Sequence, residues 1–305
     1  MLNSEYASNA PKPKDTPPMK ILNIQQTVKI CLGLFCYLML NGCGGSNGSL
    51  SSTAVSSTTT TQPNHPLNDT GTSFCRNNTG ELINCFISNA QDGNHGRDFT
   101  ALKGTLNKVG AGPAGFDWTK IARSGEAITL QDQNWQGDGN ENTGTQWACV
   151  QDHHTGLLWE VKSGDADHPQ YSSLRYSWYV PEATINGGNA GLESIDNCNG
   201  IACNTMAYIN YLNAENYCGY SNWRLPTVNE LMTLVVTENI DLAMDSHYFP
   251  NAKNDQYWSK QTYAPIRERA WYLYFSDGST GSTIKEAPNF LRLVTDNRTA
   301  TEESP

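Results

Sequence analysis

The chain has 305 residues, of which 38% are hydrophobic and 16% are charged, and its formal net charge is −10. This length can bury a core in one large or two modest domains, and the composition is typical of a turn-rich exported protein. The negative charge disfavours nucleic acid, polyanionic glycans and anionic lipid headgroups as partners.

The N-terminal segment predicts export and lipid anchoring. Lys20 and Lys29 precede the apolar run ICLGLFCYLML, which is too short to span a bilayer but has the length of a signal-peptide core. Residues 1–42 are therefore predicted to be a cleaved signal peptide, with Met19 as an alternative start. The run ends in LNGC, which resembles the bacterial lipobox and predicts acylation of Cys43. The alternative is an ordinary secretory signal.

The residues after the lipobox predict a tethered outer-membrane protein. Gly44 follows the cysteine and favours the outer membrane, with the periplasmic and cell-surface faces both left open. Loss of the signal removes four lysines and two acidic residues, so 16 basic and 28 acidic residues remain and the formal charge is −12. Residues 43–74 form a Ser/Thr-rich flexible tether. One domain is predicted over residues 75–298, with a disordered tail over 299–305.

Six cysteines remain in the exported chain, and an even number predicts three disulfides. Local spacing favours two short loops, and elimination gives the third pair. A zinc site is the alternative, but no C-x-x-C pair occurs and the histidines are scattered. The predicted pairs are Cys75 with Cys85, Cys198 with Cys203, and Cys149 with Cys218.

Short strand patterns separated by turns indicate an α+β fold with long loops. The turn SDGST predicts a hairpin after the third strand. The predicted strands are Gly156–Val161, Tyr257–Tyr263, Ala270–Phe275 and Phe290–Val294.

Two helices are predicted from capping residues and apolar spacing. Asn204 caps the first helix. Thr227 and Glu230 have the spacing of a capping box at the second. The predicted inner faces are Met206, Ile209 and Leu212 in the first helix, and Leu231, Leu234 and Val235 in the second.

Several segments resemble the Lcl C-terminal domain family of bacterial lipoproteins, most specifically over residues 147–294. They include WACVQDHHTGLLWEVK, CGYSNWRLPTVNELMTLV and AWYLYFSDG. The resemblance implies a single disulfide-stapled domain similar in fold to C-type lectins and to the formylglycine-generating enzyme. It also implies an adhesion-type role, because the family includes part of a collagen-like adhesin. This chain lacks a G-X-Y stretch and lacks the cysteine that often follows the last strand in relatives.

The WRLPT segment is interpreted as a structural signature. Arg224 is predicted to spend its donors on backbone carbonyls or an internal acid while its plane packs on an aromatic ring. The signature residues are Trp159, Trp223, Arg224, Pro226, Thr227 and Glu230.

The sequence predicts no enzyme and no cofactor. H-E-x-x-H and G-x-S-x-G motifs are absent, and no cysteine follows Cys218 to supply formylglycine-generating chemistry. Calcium is the candidate ion, because residues 132–143 begin like an EF-hand loop, but Thr143 replaces the required glutamate and an exposed turn is favoured. Asp92, Arg97 and Asp98 could also coordinate an ion, although a salt bridge is the favoured interpretation.

Aromatic side chains in polar segments are candidate ligand contacts, since rings of this kind stack on sugars. Tryptophans within strand patterns, namely Trp159, Trp258 and Trp271, are assigned to the core instead. The candidates are Trp135, Tyr171, Tyr176, Trp178 and Tyr179.

These features predict a noncatalytic envelope lipoprotein with a lectin-like module that contacts a glycan or a protein. Its partners are the membrane, through the acyl anchor, and that ligand, but not nucleic acid; sulfated glycans are disfavoured by charge. One alternative is an envelope enzyme acting on polysaccharide, whose sign would be polar residues converging in one cleft. The other is a purely structural lipoprotein. The oligomeric state is not predicted.

Overall fold

The computed structural model describes residues 66–87 and 91–296. The predicted signal peptide, Cys43, the tether up to residue 65, the last two residues of the predicted domain (297–298) and the predicted tail (299–305) lie outside the described residues. Within the described ranges, no helix combines the length and apolar character needed to cross a membrane.

The chain from residue 66 to 74 packs on the domain, although it was predicted to belong to the tether. Asn68 Nδ2 donates to Asp152 Oδ2 at 2.5 Å and to the Thr233 carbonyl at 3.0 Å. Thr237 N donates to the Thr70 carbonyl at 2.9 Å. The ordered domain therefore begins before Cys75, because Asn68 and Thr70 form hydrogen bonds with residues of the domain that are distant in sequence.

A small N-terminal unit is held by the first disulfide. Strands β1 (Cys75–Arg76) and β2 (Leu82–Ile83) pair antiparallel, and helix α1 (Gly96–Leu102) follows two short 3₁₀ turns. Cys75 and Cys85 are both buried and bonded. The bond fixes this hairpin where little apolar surface is available.

The central sheet has four antiparallel strands in the order β11-β5-β4-β3. They are β3 (Trp118–Ile121), β4 (Cys149–Asp152), β5 (Leu157–Glu160) and β11 (Val294–Asp296). Both faces of this sheet are buried. Successive residues of a strand face opposite sides, so neighbours along a strand pack in different apolar clusters. Val150 and Trp159 pack in one apolar cluster, while Cys149 and Leu158 pack in the other.

A second sheet has the order β10-β9-β8, with strands β8 (Gln256–Thr262), β9 (Arg269–Tyr274) and β10 (Ser279–Ile284). The predicted turn joins β9 to β10, and Ser279 pairs with Tyr274. A two-residue hairpin is formed by β6 (Asn197–Cys198) and β7 (Ile201–Ala202).

Both predicted helices are present. Helix α2 (Thr205–Ala214) is capped by Asn204, whose side chain accepts from Ala207 N. Helix α3 (Val228–Met232) starts with the Thr227 and Glu230 capping box. The predicted inner face of α3 and its following turn is buried. The inner face of α2 was predicted only in part: Leu212 is buried as predicted, together with Thr205 and Tyr208, whereas Met206 and Ile209 are half-buried.

Three disulfides form with the predicted pairing. Cys149 and Cys218 are both fully buried, so this bond joins β4 to the turn before the WRLPT segment inside the core. Residues 66–87 and 91–296 thus form a mixed α/β domain of small antiparallel sheets with three helices and three disulfides.

Two strand-based predictions need correction. Phe290 forms a bridge with Tyr257, residues 291–293 are buried but lie outside any strand, and β11 begins only at Val294; Leu293 N donates to the Glu160 carboxylate at 2.7 Å instead of to a strand carbonyl. Trp271 was assigned to the core but is half-buried, with its ring 5.1 Å from that of Tyr263. Trp159 and Trp258 are buried as predicted.

Candidate functional site

The surface of the described residues contains an open groove of about 780 Å³. We call it the Trp135 groove. It lies between the chain around residues 135–148 and the chain around residues 161–170, with Tyr217 and Asn251 completing it. A volume of this size is within the range of small-ligand sites.

One wall of the Trp135 groove is aromatic. Trp135 is half-buried, and its ring meets the buried Trp147 ring edge-on at a centroid distance of 5.1 Å. Trp147 Nε1 donates to the Tyr248 carbonyl at 2.8 Å, so this indole is fixed in place. The wall therefore offers an accessible ring supported by an immobile one.

A cationic side chain borders the groove beside Tyr217. The Arg123 guanidinium carbon lies 5.0 Å from the centre of the Tyr217 ring, and its Nη2 is 2.6 Å from Glu215 Oε2. The backbone N–H of Arg123 donates to Glu141 Oε1 at 2.5 Å. Arg123 is the only lysine or arginine among the described residues that line the groove, and its charge is matched by a carboxylate.

The opposite wall is a polar turn. His168 Nδ1 accepts from Gln170 N at 3.1 Å, and Asp165 Oδ1 accepts from Asp167 N at 3.0 Å. Asn199 Nδ2 donates to the His168 carbonyl at 2.9 Å. Burial, followed by the charge of Arg123, lowers the pKa of His168, so the imidazole is neutral at pH 7. Hydrogen bonds to the backbone thus hold the shape of this wall.

Beneath the groove, an amide side chain is buried. Gln170 is 2% exposed and lines the groove. Its Nε2 makes no hydrogen bond of good geometry with the described residues, although the Tyr217 hydroxyl lies beside it. The same hydroxyl donates to the Ala148 carbonyl at 3.2 Å. The floor is therefore ordered mainly through Tyr217.

Of the five predicted ligand contacts, only Trp135 lies in this groove. Tyr171 is half-buried at a bridge with Ser163, and Tyr179 lines a separate hollow of about 290 Å³. Tyr176 and Trp178 were chosen wrongly, because they are 1% and 0% exposed and belong to the core. The polar sequence around them conceals their burial beneath the second sheet, where Trp178 Nε1 donates to the Ser259 carbonyl.

Several groove residues were missed by sequence reasoning. Arg123, Glu141 and His168 stand in ordinary polar segments, which gives no local signal. Trp147 and Tyr217 could have been found, because they are two residues and one residue before the cysteines of the long disulfide. That bond brings their segments together.

The candidate calcium loop has no metal-ligating cluster within the part of the chain that the structure describes. Between residues 132 and 143, Asn140 Oδ1 instead accepts from Thr143 N at 3.0 Å, which closes a turn. The loop was predicted from Asp132, Asn134, Gln136, Gly137 and Asp138, and all five residues are exposed.

The described carboxylates that do gather are Asp69, Asp92 and Asp98. Asp98 is 1% exposed, and burial raises its pKa despite hydrogen bonds from Gly115 and Thr72. Arg97, which was expected to pair with an acid, directs Nε to the Gly115 carbonyl at 3.1 Å. The buried Asp98 carboxylate is therefore hydrogen-bonded by the backbone N–H groups of Thr72 and Gly115.

The WRLPT signature lies apart from the groove lining. Arg224 donates to both carboxylate oxygens of Glu230, at 2.9 and 2.7 Å, and to Asp296 Oδ1 at 3.0 Å. This confirms that its donors are spent on internal acids. Trp223 is buried, and its Nε1 donates to the Tyr217 carbonyl at 2.9 Å.

The comparisons with known proteins identify the domain. The sequence model of the Lcl C-terminal domain matches residues 148–295, which contain the WRLPT signature and the polar wall of the groove. The Trp135 wall precedes the matched range. No curated protein and no solved structure matches this chain significantly. Residues 148–295 are an Lcl C-terminal domain.

Proposed function

We propose that this protein is a noncatalytic, lectin-like binding module of the bacterial envelope that holds an uncharged glycan in the Trp135 groove. In this proposal Cys43 carries the acyl anchor in the outer membrane, and residues 44–65 provide reach between membrane and domain. The role is of the adhesion type.

One observation carries the proposal: a half-buried tryptophan forms the wall of an open polar groove. Indole faces pack well against the C–H faces of sugar rings, while hydroxyl groups need polar partners beside the ring. Trp135 supplies the first, and Glu141, Asp165 and Gln146 supply the second. Because Trp147 supports Trp135 from behind, little side-chain freedom would be lost on binding.

The charge distribution favours an uncharged ligand. Arg123 is already paired with Glu215, His168 is neutral at pH 7, and two carboxylates line the groove. A sulfated or carboxylated glycan would meet this lining without a free cation, and it would also meet the long-range repulsion of an acidic chain. Carboxylates accept hydrogen bonds from neutral hydroxyl groups readily.

The test is a glycan array probed with the full chain in detergent. We expect binding to uncharged oligosaccharides, a loss of at least tenfold in affinity for Trp135→Ala, and unchanged binding for Trp271→Ala. Trp271 is the matched control, since it is also half-buried but lies in another hollow. Binding confined to sulfated glycans, or binding that Trp135→Ala leaves intact, would contradict the proposal.

A second candidate function is hydrolysis of polysaccharide, favoured by the convergence of Glu141, Asp165 and His168 on one groove. Paired carboxylates of this kind are the machinery of glycosidases. We prefer binding because Asp165 and His168 both accept hydrogen bonds that shape their own turn. Release of reducing ends from a bound oligosaccharide, abolished in both Glu141→Gln and Asp165→Asn, would establish the enzyme instead.

A further inference from the structure

The loop that carries Trp135 is held from below by a buried lysine. Lys120 is 0% exposed, and its Nζ donates to the Gln133 carbonyl at 2.7 Å. The same Nζ lies 3.1 Å from His247 Nε2 and 4.0 Å from the centre of the Trp147 ring. One ammonium group therefore contacts the loop, the supporting indole and a histidine at once.

His247 extends this contact to the residue next to Trp135. Its Nδ1 lies 3.0 Å from Asn134 Oδ1, and Asn134 is exposed. The backbone N–H of His247 donates to Asp245 Oδ1 at 2.7 Å, which anchors the histidine on its own side. Gln133 and Asn134, the two residues before Trp135, are thus both tied to the Lys120–His247 pair.

These contacts require one protonation state of His247. Burial lowers the pKa of Lys120 to about 8, so at pH 7 its Nζ is an ammonium that can only donate. Nε2 of His247 must then accept, which places the single ring proton on Nδ1, where it is donated to Asn134. A second proton on Nε2 would face the ammonium and break the link.

The surrounding charges set the direction of the pH effect. Burial, then the positive charge of Lys120, lowers the pKa of His247, while Asp245 and Asp132 act in the opposite sense. The histidine is therefore mainly neutral at pH 7 and above in both the folded and the unfolded chain. As the pH falls below 6.5, the unfolded chain binds the proton first, and the link is progressively lost.

We propose that Lys120 and His247 are positioning residues for Trp135, and that protonation of His247 releases the Trp135 loop and weakens glycan binding in acid. The glycan part rests on the proposed function. The movement of the loop does not, because it follows from the contacts of the unliganded protein.

The test follows Trp135 without any ligand. The full chain is labelled with 5-fluorotryptophan, and the Trp135 resonance is assigned as the one missing in Trp135→Phe. We expect that resonance to shift between pH 7, where Lys120 is still an ammonium, and pH 4.5, with a midpoint below 6.5, and to broaden at the acid end. In His247→Gln, whose amide can donate and accept at every pH, the titration should disappear.

Two further variants keep the outcome decisive. His168→Gln removes the histidine that lines the groove and should leave the Trp135 titration unchanged. Asn134→Ala, at an exposed site that cannot unfold the core, should abolish the shift while the His247 ring still titrates. A Trp135 resonance that titrates equally in His247→Gln, or that never shifts while His247 titrates, would overturn the inference. A failure of all glycans to bind would instead contradict only the proposed function.

Discussion

Two arginines near the same disulfide show how differently this domain uses one residue type. Arg224 makes three hydrogen bonds to two carboxylates, and its side chain is 27% exposed. Arg123 makes one ion pair, with a side chain that is 45% exposed, and lies over Tyr217 at the groove. The charges of the WRLPT region are therefore paired with each other inside the domain. The groove, in contrast, leaves polar groups and an indole available to a ligand.

Removing the bond that joins both regions should have the largest effect. Cys149→Ala combined with Cys218→Ala opens a loop with a sequence separation of 69, which costs about 4 kcal/mol in unfolding free energy in the chain-entropy description. Urea denaturation under oxidising conditions measures it. The matched control removes Cys75 and Cys85, with a separation of 10, and should cost about 3 kcal/mol. A larger loss for the short loop would contradict the ranking.

Arg224→Met should lower the free energy of unfolding by about 3 kcal/mol, because it leaves the buried Glu230 carboxylate without its cation. Arg123→Met should cost less than about 1 kcal/mol, since exposed ion pairs contribute little. Both are measured by urea denaturation at pH 7. Equal losses for the two variants would show that the charge pairing of the WRLPT region is not the more stabilising of the two.

Acid should affect the WRLPT region through Glu230. Burial raises the pKa of this carboxyl, but hydrogen bonds and charge from Arg224 outweigh burial and lower it overall. The unfolded chain therefore binds the proton first, so the contribution of Glu230 is present above its unfolded pKa of about 4.3 and is lost as the pH falls through the folded value.

Glu230→Gln tests this contribution. The variant should be less stable than the natural chain at pH 7, and the difference should shrink as the pH approaches 3. Melting temperatures at both pH values measure it. A difference that stays constant with pH would show that the carboxylate charge is not what stabilises this region.

Prediction from sequence succeeded where the signals are local. The capping box at Thr227 and Glu230, the Asn204 cap and the short disulfide loops depend on residues a few positions apart. It failed where packing decides. Trp178 stands in a polar segment but is covered by the second sheet, and Leu293 leaves the strand pattern because its amide bonds a buried side chain. Trp135 was found by its polar neighbours, whereas Arg123 and His168 reach the groove only through tertiary contacts.

Trp135 itself should also contribute little to the stability of the domain. Trp135→Ala removes one edge-on ring contact to Trp147 and a partly buried surface, so we expect a cost of about 1 kcal/mol, measured by urea denaturation. The buried partner is the control: Trp147→Ala should cost at least about 3 kcal/mol, because it empties a core position and leaves the Tyr248 carbonyl unpaired. A cost for Trp135→Ala as large as that would place this indole in the core and remove the basis for a ligand-facing wall. A small cost for Trp135→Ala together with lost glycan binding would show that the groove and the WRLPT region have different roles. The Trp135 side chain would then contribute little to folding, although glycan recognition depends on it.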